Sequence, residues 1–170
     1  DLVISNGQKG IQAAAEYAFP GSSWQMCHVH FSRAVLRKLP KKQHKEIAQL
    51  LKDSLSDPRR LQECADELEI RGFTRAADTV ERFIPGLLNY RIAPPEHWRR
   101  IRTTNMLERL NKELKRRTRT IGAFTNDASL LRLAGNILMD INEEWITSRR
   151  YLSGSEGIVC LDTRAKFTAL

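Results

Sequence analysis

The sequence has 170 residues, of which 41% are hydrophobic, and a formal net charge of +8 at pH 7. That length fits one ordinary domain, or a small core with an inserted lobe. It has no apolar run long enough to cross a bilayer, no signal-peptide pattern at its N-terminus, and three widely spaced cysteines that argue against a disulfide framework. We therefore expect a cytoplasmic protein with no membrane partner.

The positive charge is concentrated in one segment. Residues 101–120, IRTTNMLERLNKELKRRTRT, contain seven basic and two acidic side chains, so they carry most of the net charge. A basic stripe on a nearly neutral background is typical of phosphate binding. The alternative is a solvated helix face that confers solubility, and composition alone does not separate the two.

The first forty residues alternate between strand and helix signals. Short apolar runs predict strands, and runs of helix formers bounded by Gly or Pro predict helices. We place strands at 2–5 and 23–31 and helices at 11–19 and 32–39, with Gly7 and Gly10 as breaks. This order is typical of part of an α/β unit.

The pattern from residue 41 to residue 100 is helical only. Asp57 followed by Pro58 predicts a capped helix over 58–70, and apolar residues at helical spacing predict helices on either side of it. Further helices are predicted from Asn105 to about residue 119 and from Asp127 to about residue 151.

These elements define a helix-dominated α/β fold with four segments. We expect a core portion at 1–40, an all-helical insertion at 41–100, return helices at 101–152 and a loosely ordered tail at 153–170.

The helix from Asn105 carries a polar stripe with a single carboxylate. Residues three and four apart share a helix face, and the stripe consists of Asn105, Glu108, Asn111, Lys112, Lys115 and Arg119. We expect Leu107, Leu110 and Leu114 to be buried on the neighbouring face. An acid among cations suits a metal ligand beside a phosphate backbone. A capping box formed by Asn105 and Glu108, or an ion pair between Glu108 and Lys112, explains the same residues without a function.

Two other groups of residues have alternative interpretations. Cys27 and His30 have the spacing of zinc ligands, but no second Cys/His pair matches them, which favours a buried cysteine and a hydrogen-bonded histidine at a strand end. Trp98 precedes two arginines and suits either stacking on an unpaired base or packing in the core.

Two blocks of the sequence together resemble a bacterial insertion-sequence transposase of the Mutator type. They are LVISNGQKGIQAAAEYAFPGSSWQMCHVHFSRAV near the start and RTTNMLERLNKELKRRTRTIGAFTNDASLLRLAGNILMDINEEW after the helical segment. The resemblance implies the C-terminal part of a DDE transposase with a partial ribonuclease-H-like core and an all-helical insertion. It also implies DNA as partner, association into a homo-oligomer and a location at the nucleoid.

The resemblance further implies a reaction in which acidic residues and two divalent ions, Mg²⁺ or Mn²⁺, cut and join DNA phosphodiesters. The family's third acid falls in a pattern that corresponds to Thr103, Thr104, Asn105, Glu108 and Asn111. Its Cys-x-x-His pair corresponds to Cys27 and His30, near the active site. The basic residues Lys112, Lys115, Arg116, Arg117 and Arg119 of the stripe and its end, with Trp98, are the candidates for binding DNA.

Asn6 departs from the family pattern. Residues 6–10, NGQKG, match an Asp-Gly-x-Lys-Gly motif except that Asn6 stands in place of the second acid. By the same resemblance, we expect the first acid on an earlier strand, upstream of residue 1. A neutral amide does not supply the negative charge that holds a divalent ion. We therefore expect the chain alone to be inactive, through decay of the element or deliberate substitution, or to act as a non-enzymatic DNA-binding or oligomerisation module.

Overall fold

The computed structural model describes residues 1–147. These residues form two β-strands and eight α-helices, with short 3-10 turns between some of them. The strands are β1 (Leu2–Ser5) and β2 (Ser23–Met26), and the helices are α1 (Lys9–Ala18), α2 (His28–Leu36), α3 (His44–Ser54), α4 (Pro58–Ile70), α5 (Thr74–Leu87), α6 (Pro95–Ile101), α7 (Asn105–Arg119) and α8 (Asp127–Thr147). The described residues divide into two compact units, one over residues 1–113 and one from residue 114 onward.

The two strands form a small parallel sheet. Leu2 lies opposite Ser23, and Ser5 lies opposite Met26. Parallel neighbours need a crossover connection, which α1 supplies. The predicted strand–helix–strand–helix order of the first forty residues is confirmed, and the fold is a helix-dominated α/β fold.

The second strand is shorter than predicted, because a helix replaces its C-terminal half. β2 ends at Met26, Cys27 is extended as the N-cap, and α2 begins at His28. The other buried residues of α2 are Phe31 and Val35, so its buried positions are spaced by three and four residues. That is the period of a helix rather than a strand. The prediction of a strand up to residue 31 was wrong because it rested on aromatic content instead of this period.

The helical segment confirms the predicted start of α4. The Asp57 side chain accepts a hydrogen bond from the backbone of the first turn of α4 at 2.9 Å, as the prediction of a capped helix over 58–70 requires. α5 contains Pro85 and ends two residues later, at Leu87. Its last turn buries Gly86 and Leu87, and this packing offsets the backbone hydrogen bond that proline cannot donate.

One hydrophobic core joins the α/β part to the helical segment. It contains side chains from β2, α2, α3, α4 and α5, all of them almost inaccessible to solvent. The larger members are Met26, Phe31, Val35, Ile47, Leu51, Leu61, Leu68, Val80, Phe83 and Leu87. The position of β2 is therefore fixed by the helices that follow it in the sequence.

α7 has the predicted boundaries but not the predicted burial. It runs from Asn105 to Arg119, and none of its residues is buried. Leu107 is 55% exposed, and Leu110 and Leu114 are only partly covered. The expectation of a buried leucine face was wrong, because a stripe of apolar residues shows which side of a helix is apolar and not whether another element covers it.

α8 follows as a long helix from Asp127 to Thr147, where the described part of the chain ends. The predicted continuation of this helix to about residue 151 and the predicted tail at 153–170 lie outside the described residues. Within residues 1–147, no helix combines the length and hydrophobicity that crossing a membrane requires.

Candidate active site

The carboxyl ends of both strands meet at one edge of the sheet. Ser5 is the last residue of β1 and Met26 is its partner in β2, so Asn6 and Cys27 both leave the sheet at this edge. The Cys27 N–H continues the ladder by donating to the Ser5 carbonyl at 2.9 Å. In parallel sheets this edge is where ligand-binding groups gather.

The loop at residues 6–8 presents Asn6 to solvent. The Asn6 Oδ1 accepts a hydrogen bond from the Gln8 N–H at 3.2 Å, which closes a short turn before α1. Gly7 between them has φ +75°, a left-handed conformation that non-glycine residues rarely adopt. Gly10, expected to be a break, lies instead inside the first turn of α1.

A contact between distant parts of the chain brings the start of α7 to the same edge. Cys27 is fully buried, and its Sγ accepts from the Thr104 N–H at 3.3 Å and lies 3.4 Å from the Thr104 Oγ1. Beside it, the His28 N–H donates to the Arg102 carbonyl at 3.0 Å. The junction of β2 and α2 therefore holds the residues that precede α7.

His30 connects this contact to the carboxylate of Glu108. Its Nδ1 lies 3.4 Å from the Thr104 Oγ1, and its Nε2 lies 3.3 Å from the Glu108 Oε1. A neutral ring fits both contacts when Nε2–H donates to the carboxylate and Nδ1 accepts from the hydroxyl. Asn6, Cys27, His30 and Glu108 are thus tied to one edge of the sheet.

The capping-box alternative for Glu108 does not match the start of the helix. A capping box places Asn105 at the N-cap, but Asn105 is already the first helical residue. Thr104 precedes it, and the Thr104 carbonyl accepts the Glu108 N–H at 2.9 Å. Among the described contacts, the Glu108 carboxylate meets the Thr104 hydroxyl and His30. Glu108 is 43% exposed and so remains accessible.

The zinc interpretation of Cys27 and His30 finds no support in this geometry. The Cys27 Sγ is occupied by Thr104, and residues 1–147 contain no group of three His, Cys, Asp or Glu side chains placed to hold a metal ion. The divalent ions implied by the resemblance fit no better, since the edge offers one carboxylate and the neutral amide of Asn6.

The DNA-binding candidates differ in their surroundings. Along α7, four of the five basic candidates have exposed side chains: Lys112, Lys115, Arg116 and Arg119. Arg117 is less exposed, and its Nη1 lies 3.7 Å from the Asp140 Oδ2. Two other residues of the family pattern lie here too: Thr103 is partly buried and Asn111 is exposed.

Trp98 has a structural role that accounts for its presence. Its Nε1–H donates to the Ala93 carbonyl at 2.7 Å, and its ring meets Tyr90 edge-on at 5.6 Å between centroids. The side chain is half-buried, which favours the core interpretation of the two that the sequence allowed. Its role in DNA binding stays a prediction.

Sequence reasoning missed a buried polar network behind the sheet. The Gln25 Nε2 donates to the Leu87 carbonyl at 2.9 Å, and the Gln25 Oε1 accepts the Tyr90 N–H at 2.8 Å. The His28 Nε2 lies 2.8 Å from the same Leu87 carbonyl. Burial lowers the pKa of His28 below its ordinary value of 6.5, the Arg102 charge adds to that shift, and the Leu87 hydrogen bond opposes it. The one sequence signal for this network was the glutamine at position 25, a polar residue inside an otherwise apolar strand.

The fold and the site together define a helix-rich α/β protein with polar side chains at the carboxyl edge of parallel strands and a basic helix that also carries a carboxylate. A family described as "Transposase, Mutator family" has a sequence model that matches residues 1–148. The chain belongs to this family.

Curated relatives agree with this assignment. Over 161 residues the chain is 32% identical to the transposase for insertion sequence element IS256 in transposon Tn4001 of Staphylococcus aureus, a match that covers 90% of this chain and 41% of the relative. It is 35% identical over 160 residues to the transposase for insertion sequence element ISRM5 of Rhizobium meliloti. That match covers 90% of this chain and 40% of the relative. The chain is 31% identical over 162 residues to the transposase for insertion sequence element IS1081 of Mycobacterium tuberculosis. That match covers 89% of this chain and 38% of the relative.

The chain therefore spans about two fifths of the length of these relatives. No solved structure matches it.

Proposed function

We propose that the chain serves DNA transposition as part of the catalytic region of a DDE-type transposase. In the complete enzyme, this region contributes a portion of a ribonuclease-H-like core to a site that cuts and joins DNA phosphodiesters with Mg²⁺ or Mn²⁺. Membership of a transposase family supports the general role. The ions, the acidic residues and the cutting and joining steps are the parts we infer.

One observation carries the proposal: two positions of the family's acidic set belong to the same sheet edge. Asn6 leaves this edge directly after β1. Glu108 is linked to it through His30 and Thr104, which contact Cys27 at the end of β2. Carboxylates brought together in this way are the usual ligands of divalent ions that activate phosphodiesters.

The amide at residue 6 limits the affinity of this chain for divalent metal ions. Its amide oxygen is uncharged and already accepts the Gln8 N–H, so Glu108 is the carboxylate that the edge supplies. We therefore propose that the present sequence binds divalent ions weakly and does not cut DNA by itself. In that state, a role in binding DNA or in association is the second candidate function, and the substitution at Asn6 is what favours it.

Restoring the acid tests the proposal. For the Asn6→Asp variant we expect at least about tenfold tighter Mn²⁺ binding than for the parent chain, because a second carboxylate joins Glu108 at the edge. Adding Glu108→Ala should abolish the gain. Loss of the free Mn²⁺ signal in electron paramagnetic resonance, during titration of the 170-residue chain, measures binding directly.

Asn126→Asp is the matched control. It adds one carboxylate at a position where the side chain accepts the Ser129 N–H, a role that aspartate fills equally well. This variant should bind Mn²⁺ like the parent. If Asn6→Asp binds no better than Asn126→Asp, or if its gain survives Glu108→Ala, residues 6 and 108 do not form one site and the catalytic proposal fails.

DNA binding is tested separately on α7. Reversing Arg116, Arg117 and Arg119 to glutamate should weaken binding to duplex DNA, because cations that neutralise phosphates release counterions. The slope of log K against log salt concentration should flatten by about 0.9 for each phosphate that the protein no longer neutralises. Fluorescence anisotropy with a labelled duplex at several salt concentrations gives both quantities.

The matched control reverses Lys41, Lys42 and Lys45, three exposed cations in the helical segment. This change alters the net charge by the same amount, so a general electrostatic effect would weaken both variants alike. Equal weakening of the two triple variants, or unchanged binding by the α7 variant, would show that the basic residues of α7 serve solubility.

A further inference from the structure

The outer face of α2 carries two exposed arginines, Arg33 and Arg37. They follow His30 by three and seven residues, so the three side chains share one side of the helix. The opposite side holds Phe31 and Val35, which are fully buried. The core therefore fixes the rotation of α2, and this rotation directs both arginines to solvent.

This outer face begins at the candidate active site. His30, its first member, has its Nε2 3.3 Å from the Glu108 Oε1. At 1.5 Å per residue, Arg33 lies about 4.5 Å and Arg37 about 10 Å farther along the helix axis. α2 also starts directly after Cys27, so the positive end of its dipole lies at the carboxyl edge of the sheet. Positive charge thus leads away from Glu108 along α2.

No acidic residue close in the sequence offsets this charge. Residues 17–45 contain six Lys or Arg and no Asp or Glu, which makes them a second basic segment of the chain. None of the ion pairs described for residues 1–147 involves Arg33 or Arg37, whereas Arg71 pairs with two glutamates. Cations that face solvent on one side of a rigid helix without acidic partners are typical of contacts to phosphates.

We propose that the outer face of α2 binds the phosphate backbone of the DNA strand that lies at the Glu108 edge. Arg33 and Arg37 contact neighbouring phosphates of that one strand as it leaves the edge. They are one helical turn apart, and the planar guanidinium group can bind two phosphate oxygens at once. The inference rests on the proposed function in taking DNA as the partner, and it adds the path of the strand over α2, a surface separate from α7.

Charge reversal tests this face. At about 0.1 M salt, Arg33→Glu combined with Arg37→Glu should weaken binding of the 170-residue chain to duplex DNA about tenfold or more. The slope of log K against log salt concentration should flatten by about 1.8, because two phosphates are no longer neutralised. Fluorescence anisotropy in EDTA, without divalent ions, measures both quantities.

The matched control reverses Arg59 and Arg60, two exposed arginines in the first turn of α4. This double variant changes the net charge by the same amount, and it should change the affinity by less than about threefold. Circular dichroism should show the same helix content for both double variants. If the reversal on α2 lowers the helix content, Arg33→Gln with Arg37→Gln removes the charges without repulsion and should weaken binding in the same direction.

The ring of His30 reports whether the bound DNA reaches the edge. His30 lies between the two arginines and Glu108, whereas His44 lies beyond α2, at the start of α3. Adding a short duplex should shift the ring signals of His30 in nitrogen-15 NMR spectra and leave those of His44 in place. The Arg33→Glu, Arg37→Glu variant should lose the His30 shift at the same DNA concentration, and His30→Gln identifies the signal.

Three results would overturn the inference: unchanged DNA binding by the α2 variant, equal weakening by the α2 and α4 variants, or a His30 ring that does not respond to DNA. A shift of His44 as large as that of His30 would also overturn it, because the DNA would then cover the basic segment without a defined path. These measurements need no metal ion. Failure of Asn6→Asp to bind Mn²⁺ would therefore remove the catalytic proposal alone, and failure of the α2 tests would remove this inference alone.

Discussion

Replacing Gln25 by leucine is expected to lower the free energy of unfolding by about 3 kcal/mol. Gln25 is fully buried in β2. Its Nε2 donates to the carbonyls of Met26 at 2.7 Å and Leu87 at 2.9 Å, and its Oε1 accepts the Tyr90 N–H at 2.8 Å.

Leucine has nearly the volume of glutamine, so the loss comes from polar groups and not from a cavity. The Tyr90 N–H would be left without its acceptor in a buried position, at a cost of about 1–3 kcal/mol. The Met26 and Leu87 carbonyls would each lose a donor, although His28 still contacts the Leu87 carbonyl. Because this amide ties β2 to the end of α5, its loss also loosens the edge that carries the candidate site.

Urea unfolding followed by circular dichroism measures the change. Gln49→Leu is the matched control, since Gln49 is exposed and bonds only to the Asp53 carboxylate among the described contacts. That substitution should change the unfolding free energy by less than about 0.5 kcal/mol. If Gln25→Leu is tolerated as well as Gln49→Leu, the buried amide is not what connects β2 to α5.

Local signals in the sequence predicted the elements that local interactions determine. Asp57 before a proline gave the start of α4, and the polar stripe beginning at Asn105 gave the boundaries of α7. Glu108 was singled out as the single carboxylate of the polar stripe, with a helix cap left open as an alternative, whereas Asn6 was identified as the replacement of an acid only through the family resemblance. The cap was excluded only by the position of Thr104 relative to α7.

The contacts that assemble the edge were beyond sequence reasoning because they join distant residues. Cys27 and Thr104 are 77 positions apart, and their contact depends on where the buried thiol lies after β2. Gln25 and Leu87 are 62 positions apart. Periodicity and spacing in the sequence do not predict such contacts, since each contact depends on how the helices pack against the strands. The leucines of α7 show a related limit of sequence reasoning. Their apolar pattern was visible in the sequence, but such a pattern does not indicate whether another element packs against it.

Replacing Gly7 by alanine is expected to destabilise the fold by about 2–4 kcal/mol. Two costs add. Gly7 has φ +75°, where a side chain costs about 1–2 kcal/mol. An added Cβ would also lie 2.7 Å from the Met26 Sδ and 3.0 Å from the Phe83 Cε1, so the packing of the core under the loop must shift. Urea unfolding of the variant measures the sum.

Gly10→Ala, in the same five-residue motif, is the control and should have the opposite sign. Gly10 lies inside α1, and nothing stands within 4 Å of a Cβ added there. Alanine is favoured over glycine in a helix by about 1 kcal/mol, so this variant should be slightly more stable. Opposite signs would mean that the backbone beneath Asn6 requires glycine at residue 7, whereas the fold does not require glycine at residue 10. Equal destabilisation by both variants would contradict this division, and the motif would then be a purely structural turn.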